Sequence, residues 1–216
     1  MNRATLCAKR WVTASEPGLG DGPSPGSSFS RARAEEMTEL TLTMPRSGLG
    51  AFGALLQRGV AVRAAPGTSV HAFLTAALGL APAYVERRIT TVFLDGQVVD
   101  ALEEAVLRDG LRLALSAAMP GLVGATLRKG GYYSSLRAAI THSRERGEAE
   151  RSGDAALVQV KLFNLLLAEL GPVLLARGVV LDPRETLELV EALGEEGAAL
   201  RDVPGEEMLE LRVRFE

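Results

Sequence analysis

Five short segments predicted as strand, strand, helix, strand and strand follow one another in residues 38–121, and this order limits the fold more than any other feature. In the first segment Leu40, Leu42 and Met44 alternate with threonines, which is the pattern of a half-buried strand. Residues 45–53 contain proline and three glycines and are therefore predicted to be a loop.

The second strand is predicted over residues 59–65, where valine and alanine precede a Pro-Gly pair. A helix follows, because Thr68 or Ser69 can cap it and apolar residues recur on one face as far as Leu78. Residues 89–94 are rich in β-branched side chains and predict the third strand.

Two Asp-Gly pairs mark the turns that end this region. Asp95 and Gly96 lie between residues 89–94 and a second apolar pair, which predicts a tight hairpin. Asp109 and Gly110 precede a last strand, in which leucines alternate with other residues over 111–115.

Three motifs in this region, residues 66–70, 92–96 and 109–111, resemble those of the ubiquitin-like β-grasp fold. Within that fold they are similar to sulfur carriers such as the small subunit of molybdopterin synthase and the thiamine sulfur carrier. The resemblance implies a domain that binds or carries other molecules. Carriers of this kind end in a Gly-Gly carboxylate that becomes a thiocarboxylate, so Gly130 and Gly131 would serve only after cleavage behind Gly131, because the chain continues to residue 216.

The N-terminal residues 1–36 have a different composition, with a run of glycine, proline and serine over 16–28. Such a run has too few apolar groups to offset the entropy of ordering it, which predicts a disordered tail. An alternative is that synthesis begins at Met37, directly before the first strand, and that the reading frame is over-extended.

Residues 122–154 are predicted to be a glycine-containing, charged linker with a short helix over 132–146. Residues 155–216 are predicted to be a mostly helical extension. Its first part, 155–170, is apolar on almost every face and must be buried within the chain or on a partner, although its first residues alternate as a strand would. Gly171 and Pro172 predict a break or kink there.

The end of the chain carries clearer signals. Asp182, Pro183 and Glu185 form a helix start with a capping aspartate and a reciprocal glutamate, and this helix is predicted to end near Leu193. Residues 208–215 alternate cleanly and predict a terminal strand.

Composition excludes several functional classes. The net charge of −3 gives no field that attracts nucleic acid or a membrane surface. The single cysteine, Cys7, excludes an intramolecular disulfide and a cysteine zinc site. The most apolar stretch, 157–181, contains charges and a Gly-Pro pair, so no membrane span is expected. We therefore expect a cytoplasmic protein.

No catalytic constellation stands out in the sequence. His71 begins the first helix, and His142 lies near two serines without a defined acidic partner. Tyr132 and Tyr133 stand among arginines and could stack bases, but the basic patch is small and the chain is acidic overall. A third hypothesis is an enzyme that uses the segment 128–146.

We predict an α+β protein, with a β-grasp domain over 37–121 and the helical extension behind it. The predicted function is that of a non-enzymatic protein-interaction or scaffold module without cofactor or metal, and the alternative is a sulfur-carrier precursor. A protein partner or a second copy would bind through the apolar segment 155–181. The predicted processing or interaction residues are Gly130, Gly131, Tyr132 and Tyr133.

Overall fold

A computed structural model describes residues 5–6, 37–119, 121–129, 131, 155–203 and 205–216. The strands, in chain order, are β1 Thr5–Leu6, β2 Met37–Met44, β3 Val60–Ala64, β4 Thr91–Leu94, β5 Gln97–Val98, β6 Arg112–Ser116, β7 Ala156–Phe163, β8 Val179–Leu181 and β9 Met208–Phe215. All of them belong to one nine-stranded sheet, in the order β1-β2-β9-β8-β3-β7-β6-β4-β5.

Six α-helical segments accompany this sheet. They are α1 Gly53–Arg58, α2 Val70–Ala72, α3 Pro82–Arg87, α4 Gly121–Leu127, α5 Leu165–Arg177 and α6 Pro183–Leu193. Arg46–Phe52 forms a 3-10 helix before α1, Phe73–Ala77 continues α2 as a π-helix, and Gly194–Asp202 follows α6 as a 3-10 helix. The α+β class predicted from the sequence is confirmed. None of the helices in the described ranges is long and apolar enough to cross a membrane.

Two parallel pairs stand on either side of the middle of the sheet. β2 lies parallel to β9, and β6 lies parallel to β7. Between these pairs, β8 and β3 run antiparallel to each other and to their outer neighbours. At the far end, β4 pairs antiparallel with both β6 and β5. The middle of the sheet is therefore built from strands of both halves of the chain.

One hydrophobic core joins these halves. Leu40, Phe52 and Leu113 come from the first half, while Leu166 and Leu211 come from the second, and all are almost fully buried in the same cluster. Helix α5 packs on α1, β7 and β9. The predicted segments 37–121 and 155–216 consequently share one sheet and one core.

The other face of the sheet carries a smaller cluster with charges around it. Since side chains alternate along a strand, Ala61 and Val180 point away from the main core and are buried together with Met208. Beside them Glu210, only 9% exposed, accepts from Arg63 at 3.0 Å and from Arg212 at 2.5 Å. The two guanidinium groups satisfy a carboxylate that would otherwise be costly to bury.

The strand alternative for the first residues of 155–170 is confirmed, and the helix begins only at Leu165. Ala156–Phe163 is a strand, in which Val158, Val160 and Leu162 are fully buried and the residues between them are half-buried. Residues 155–170 are apolar on almost every face because both faces of β7 contact apolar side chains. On the outer face, Leu157 packs against the cluster that contains Ala61. Pro172 lies inside α5, which continues to Arg177 without ending there.

The predicted loop over residues 45–53 is also wrong, because this stretch is helical and runs into α1. Phe52, Leu55 and Leu56 are buried, and Leu49 packs against the same core. Burial of this apolar face outweighs the low helix propensity of the glycines. On the opposing helix, Gly171 admits this close approach, since a Cβ there would lie 3.0 Å from Leu56 Cδ1.

Local signals in the sequence are confirmed at three places. Ser69 accepts a hydrogen bond from the Ala72 amide at 3.1 Å and caps α2. Asp95 has positive φ in the turn between β4 and β5. Asp182 and Glu185 form the reciprocal capping box of α6, with distances of 2.8 and 3.0 Å. Each feature depends only on residues close in sequence.

A short repeat marks the centre of the sheet. The pattern Leu-Leu-x-Arg-Gly-Val occupies residues 55–60 and 174–179, and each copy ends a helix and begins a strand. Gly59 and Gly178 have φ values of 119° and 115°, a region open to glycine but strained for other residues. Neighbouring side chains also leave little room for a Cβ at either glycine. A Cβ at Gly59 would lie 3.0 Å from Lys161 Cγ, and one at Gly178 would lie 3.1 Å from Glu210 Oε1.

Some predictions fall where the structure gives no description. Of residues 1–36, only Thr5–Leu6 are described, and they pair antiparallel with β2. In the predicted linker 122–154, α4 begins the segment, while the predicted helix over 132–146 lies outside the described residues.

A fragment of residues 37–131 should not fold by itself. It lacks β7, β8 and β9, so β3 loses both neighbours and β2 loses the strand with which it pairs along its full length. We expect the fragment to give a random-coil circular dichroism spectrum and a collapsed amide proton spectrum, whereas the full chain gives dispersed signals. A folded fragment with dispersed amide signals would contradict the shared core.

Candidate functional site

The predicted processing residues lie only partly in the described region. Gly130, Tyr132 and Tyr133 are outside it, and Gly131 is half-buried just after α4. The amide of Gly131 donates to Arg128 O at 3.0 Å, and the amide of Lys129 donates to Thr90 O at 2.7 Å. The backbone before Gly131 is thus tied to the start of β4.

A strained turn joins β7 to α5. Its residue Asn164 has φ 55° and ψ −132°, at the boundary between the strand and the helix. Among the described residues only Asp95 shares a positive φ without being glycine, and Asp95 belongs to a tight hairpin turn. Backbone strain of this kind costs about 1–3 kcal/mol and occurs preferentially at functional sites. Asn164 is therefore the centre of the candidate site.

Hydrogen bonds from the Asn164 amide hold this turn to the neighbouring strand. Its Nδ2 donates to Ala118 O at 2.5 Å and to Ser116 Oγ at 3.2 Å. Ser116 ends β6, and its hydroxyl donates to Ala118 O at 3.3 Å. Because β6 and β7 are parallel, these contacts join their carboxyl ends, where α/β proteins commonly place ligands.

The residues on either side of Asn164 are apolar and exposed. Phe163 is 40% exposed and Leu165 is 54% exposed, while the next residues outward, Leu162 and Leu166, are fully buried. The structure thus fixes the ends of the turn in the core and presents two large side chains at its tip. Only one other large apolar side chain in the described ranges is exposed, that of Leu187.

Two adjacent threonines lie across from this turn on β4 and the residue before it. Thr91 is opposite Ser116 in the register of β4 and β6, and its hydroxyl is buried without a hydrogen-bond partner. The neighbouring Thr90 hydroxyl donates to Ala117 O at 2.8 Å. An unpaired buried hydroxyl costs about 1–3 kcal/mol.

Among the described residues, the groups around Asn164 are suited to recognition. The Ser116 hydroxyl contacts an amide nitrogen and a carbonyl oxygen, neither of which accepts a proton near neutral pH. Asn164 itself carries an amide, which is a hydrogen-bonding group and not an acid or base. What the turn offers is two apolar side chains held on a rigid backbone.

Among the described residues, a cluster of hydrogen-bonded titratable groups lies elsewhere, between α3 and α5. The Tyr84 hydroxyl donates to Glu169 Oε2 at 2.5 Å, and Arg88 Nε donates to both carboxylate oxygens at 3.0 Å. The hydrogen bond from Arg88, followed by that from Tyr84, lowers the pKa of Glu169 to about 2. Burial, together with Glu169, raises the pKa of Tyr84. Both shifts move away from neutral pH, so the cluster suits a structural contact and not proton transfer.

Lys129 is the half-buried amine nearest to the predicted processing residues. Burial lowers the pKa of Lys129, and the nearby carboxylates of Glu103, Glu86 and Asp100 oppose this shift. Its Nζ donates to Val85 O at 3.3 Å. The amine therefore holds α3 to the segment after α4.

In the described part of the chain, no three His, Cys, Asp or Glu side chains are grouped so as to hold a metal ion. Comparison with protein-family models, curated proteins and solved structures finds no match to this chain.

Asn164, Phe163 and Leu165 were not predicted as site residues, because the sequence of 155–170 does not show where its strand-like part ends and its helix begins. A signal was present, since an asparagine between a strand-like alternation and a helical run is a common site of positive φ or of a helix cap. The exposure of Phe163 and Leu165 cannot be predicted from local sequence, because it depends on which strands and helices pack beside them.

We expect Thr91→Val to raise the free energy of unfolding by about 1 kcal/mol, since it removes a buried hydroxyl that has no partner. Thr90→Val is the matched control and should lower it by a similar amount, because it breaks the bond to Ala117 O. Urea denaturation of both variants measures the two changes. Equal destabilisation by both would show that the Thr91 hydroxyl has a partner.

The contact of Glu169 with Arg88 should make the free energy of unfolding decrease at acid pH. The folded-state pKa of Glu169, about 2, is lower than its ordinary value, so the stabilisation is complete above about pH 5 and is lost as the pH falls through about 2. The difference in unfolding free energy between the native chain and Glu169→Gln should shrink over this range. In an Arg88→Gln background the pH dependence should be much weaker, and an unchanged dependence would contradict this origin.

Proposed function

We propose that this chain is a non-enzymatic protein-interaction module that binds a protein partner through Phe163 and Leu165. The observation that carries the proposal is the exposure of these two large apolar side chains on either side of the strained Asn164. Solvent exposure of such residues has a cost, and it is compensated when a partner covers them.

The position of the two side chains favours binding over chance exposure. Buried anchors at Leu162 and Leu166 and the hydrogen bonds of Asn164 fix the backbone between them. Binding therefore requires little ordering of the turn, which improves affinity. Aromatic residues that fill a pocket on a partner commonly dominate the energy of an interface.

The proposed partner-binding surface is smaller than the predicted interaction segment 155–181. Most of its apolar residues fill the core of the same chain, so they are not free to meet a partner. The large apolar side chains of this segment that stay exposed are those of Phe163 and Leu165. The partner surface proposed here is consequently a single turn and not a whole helix.

A non-enzymatic role agrees with the chemistry of the candidate groups. Within the described ranges the Ser116 hydroxyl contacts an amide and a carbonyl group, and the pKa shifts of Tyr84 and Glu169 move away from neutral pH. Absence of nucleic-acid binding and a cytoplasmic location are part of the same proposal, and both rest on the net charge of −3 and the composition.

The β-grasp resemblance is supported by one half of the sheet. There the parallel pair of β6 and β7 has β3 on one side and β4 with β5 on the other. In a β-grasp sheet the first and last strands form such a central parallel pair. We propose that β7, instead of β2, takes the place of the first strand in a β-grasp-like arrangement.

The sulfur-carrier alternative draws no comparable support. Cleavage behind Gly131 would separate β7, β8 and β9 from the strands between which they lie. A released carrier would lack the parallel partner of β6. The interaction module is therefore the better proposal.

The double substitution Phe163→Ser with Leu165→Ser should abolish partner binding and leave the fold intact, because both side chains are substantially exposed. Partners are first identified by photo-crosslinking from position 163 in cells of the source organism, then purified for calorimetry. We expect the dissociation constant to rise at least about 30-fold, as for loss of an interface anchor worth about 2 kcal/mol.

Leu187→Ser is the matched control, since Leu187 is an exposed leucine on α6 and not part of the turn, so the change should not affect binding. Melting temperatures of all variants check that the fold is kept. If the double variant binds the crosslinked protein as tightly as the native chain does, the turn is not the binding site.

A further inference from the structure

We propose that the outer edge of β2 pairs antiparallel with β2 of a second copy of this chain, and that Thr5–Leu6 covers this edge in the single chain. The proposal concerns a different surface from the turn at Asn164. It can therefore fail or succeed independently of the proposed function.

The edge of β2 is long and mostly uncovered by described residues. On its inner side, β2 pairs with β9 along all of Met37–Met44. On its outer side, the neighbour in the described part of the chain is Thr5–Leu6, which reaches Thr41 and Leu40. An edge strand of this length offers unpaired backbone groups to any extended chain.

The strand that covers this edge has the same two side chains as the strand beneath it. Thr5 lies opposite Thr41, and Leu6 lies opposite Leu40. A second β2 running antiparallel about Thr41 would place its own Thr41 opposite Thr41 and its own Leu42 opposite Leu40. The Thr-Leu pair at the N-terminus thus occupies the register that a second copy would take.

This symmetric register is self-complementary. It pairs Leu40 with Leu42 on the core side, where both are already buried. On the outer face it sets Glu39 against Thr43, so that no two acidic side chains meet. Such a contact has two-fold symmetry, which closes after two copies and forms no filament.

Competition between the two strands follows from their connection. Thr5–Leu6 is tethered to the edge that it covers, and a tethered strand competes at an effective concentration that can reach the order of millimolar. A second copy would therefore pair only where the N-terminal strand is missing or displaced. A chain beginning at Met37 would lack this cover altogether.

Sedimentation equilibrium of the full chain and of residues 37–216 tests the proposal. We expect the full chain to be monomeric and the shorter chain to form dimers in a concentration-dependent manner. The full chain with Thr5→Pro and Leu6→Pro should also dimerise, because proline cannot donate a backbone hydrogen bond to β2. This variant replaces the shorter chain in the experiment if the shorter chain does not fold.

Two further variants locate the contact. Thr41→Glu in the shorter chain should restore the monomer, because two carboxylates would face each other at the symmetry axis, while within one chain the new side chain faces Arg212. Gln97→Glu on the opposite edge strand, β5, is the matched control and should leave the dimer unchanged.

Three results would overturn the proposal. The uncovered chains could stay monomeric at every concentration, the full chain could dimerise as strongly as they do, or the dimer could survive Thr41→Glu.

Discussion

Antiparallel pairing of β3 with β8, at Ala61 and Val180, holds the two halves of the sheet together. Strands on one side of this pair are joined to those on the other side through it, through the shared core and through the contact of Arg63 with Glu210. Gly59 and Gly178 make the pair possible, because each leads the chain from a helix into the centre with a φ that other residues adopt only under strain. Lys161 and Arg212 then pack across them.

Because the centre is made from two distant segments, the surroundings of the candidate site come from both as well. Asn164 belongs to the second half of the chain, whereas Ser116, Ala118 and Thr91 belong to the first. The parallel pairing of β6 and β7 brings them together. The exposed turn is thus a product of the shared sheet and would not exist in either half alone.

Sequence alone predicted the features that depend on neighbouring residues. The strand at 208–215, the capping box at Asp182 and the hairpin turn at Asp95 were all predictable from local chemistry. Alternation shows that a segment is a strand but not which strand it joins, so the position of β9 beside β2 was not predictable. The repeat of Leu-Leu-x-Arg-Gly-Val was visible in the sequence and could have indicated two equivalent helix-to-strand junctions at the centre.

The pairing of β2 with β9 also has a consequence for synthesis of the chain on the ribosome. Thr38 hydrogen-bonds to Glu207, a residue 169 positions later. At about 5–20 residues per second, β2 waits roughly ten to thirty seconds for its partner to be translated. During that interval Leu40 and Leu42 cannot be buried as they are in the finished fold, so their side chains stay available to other apolar surfaces until β9 has been translated.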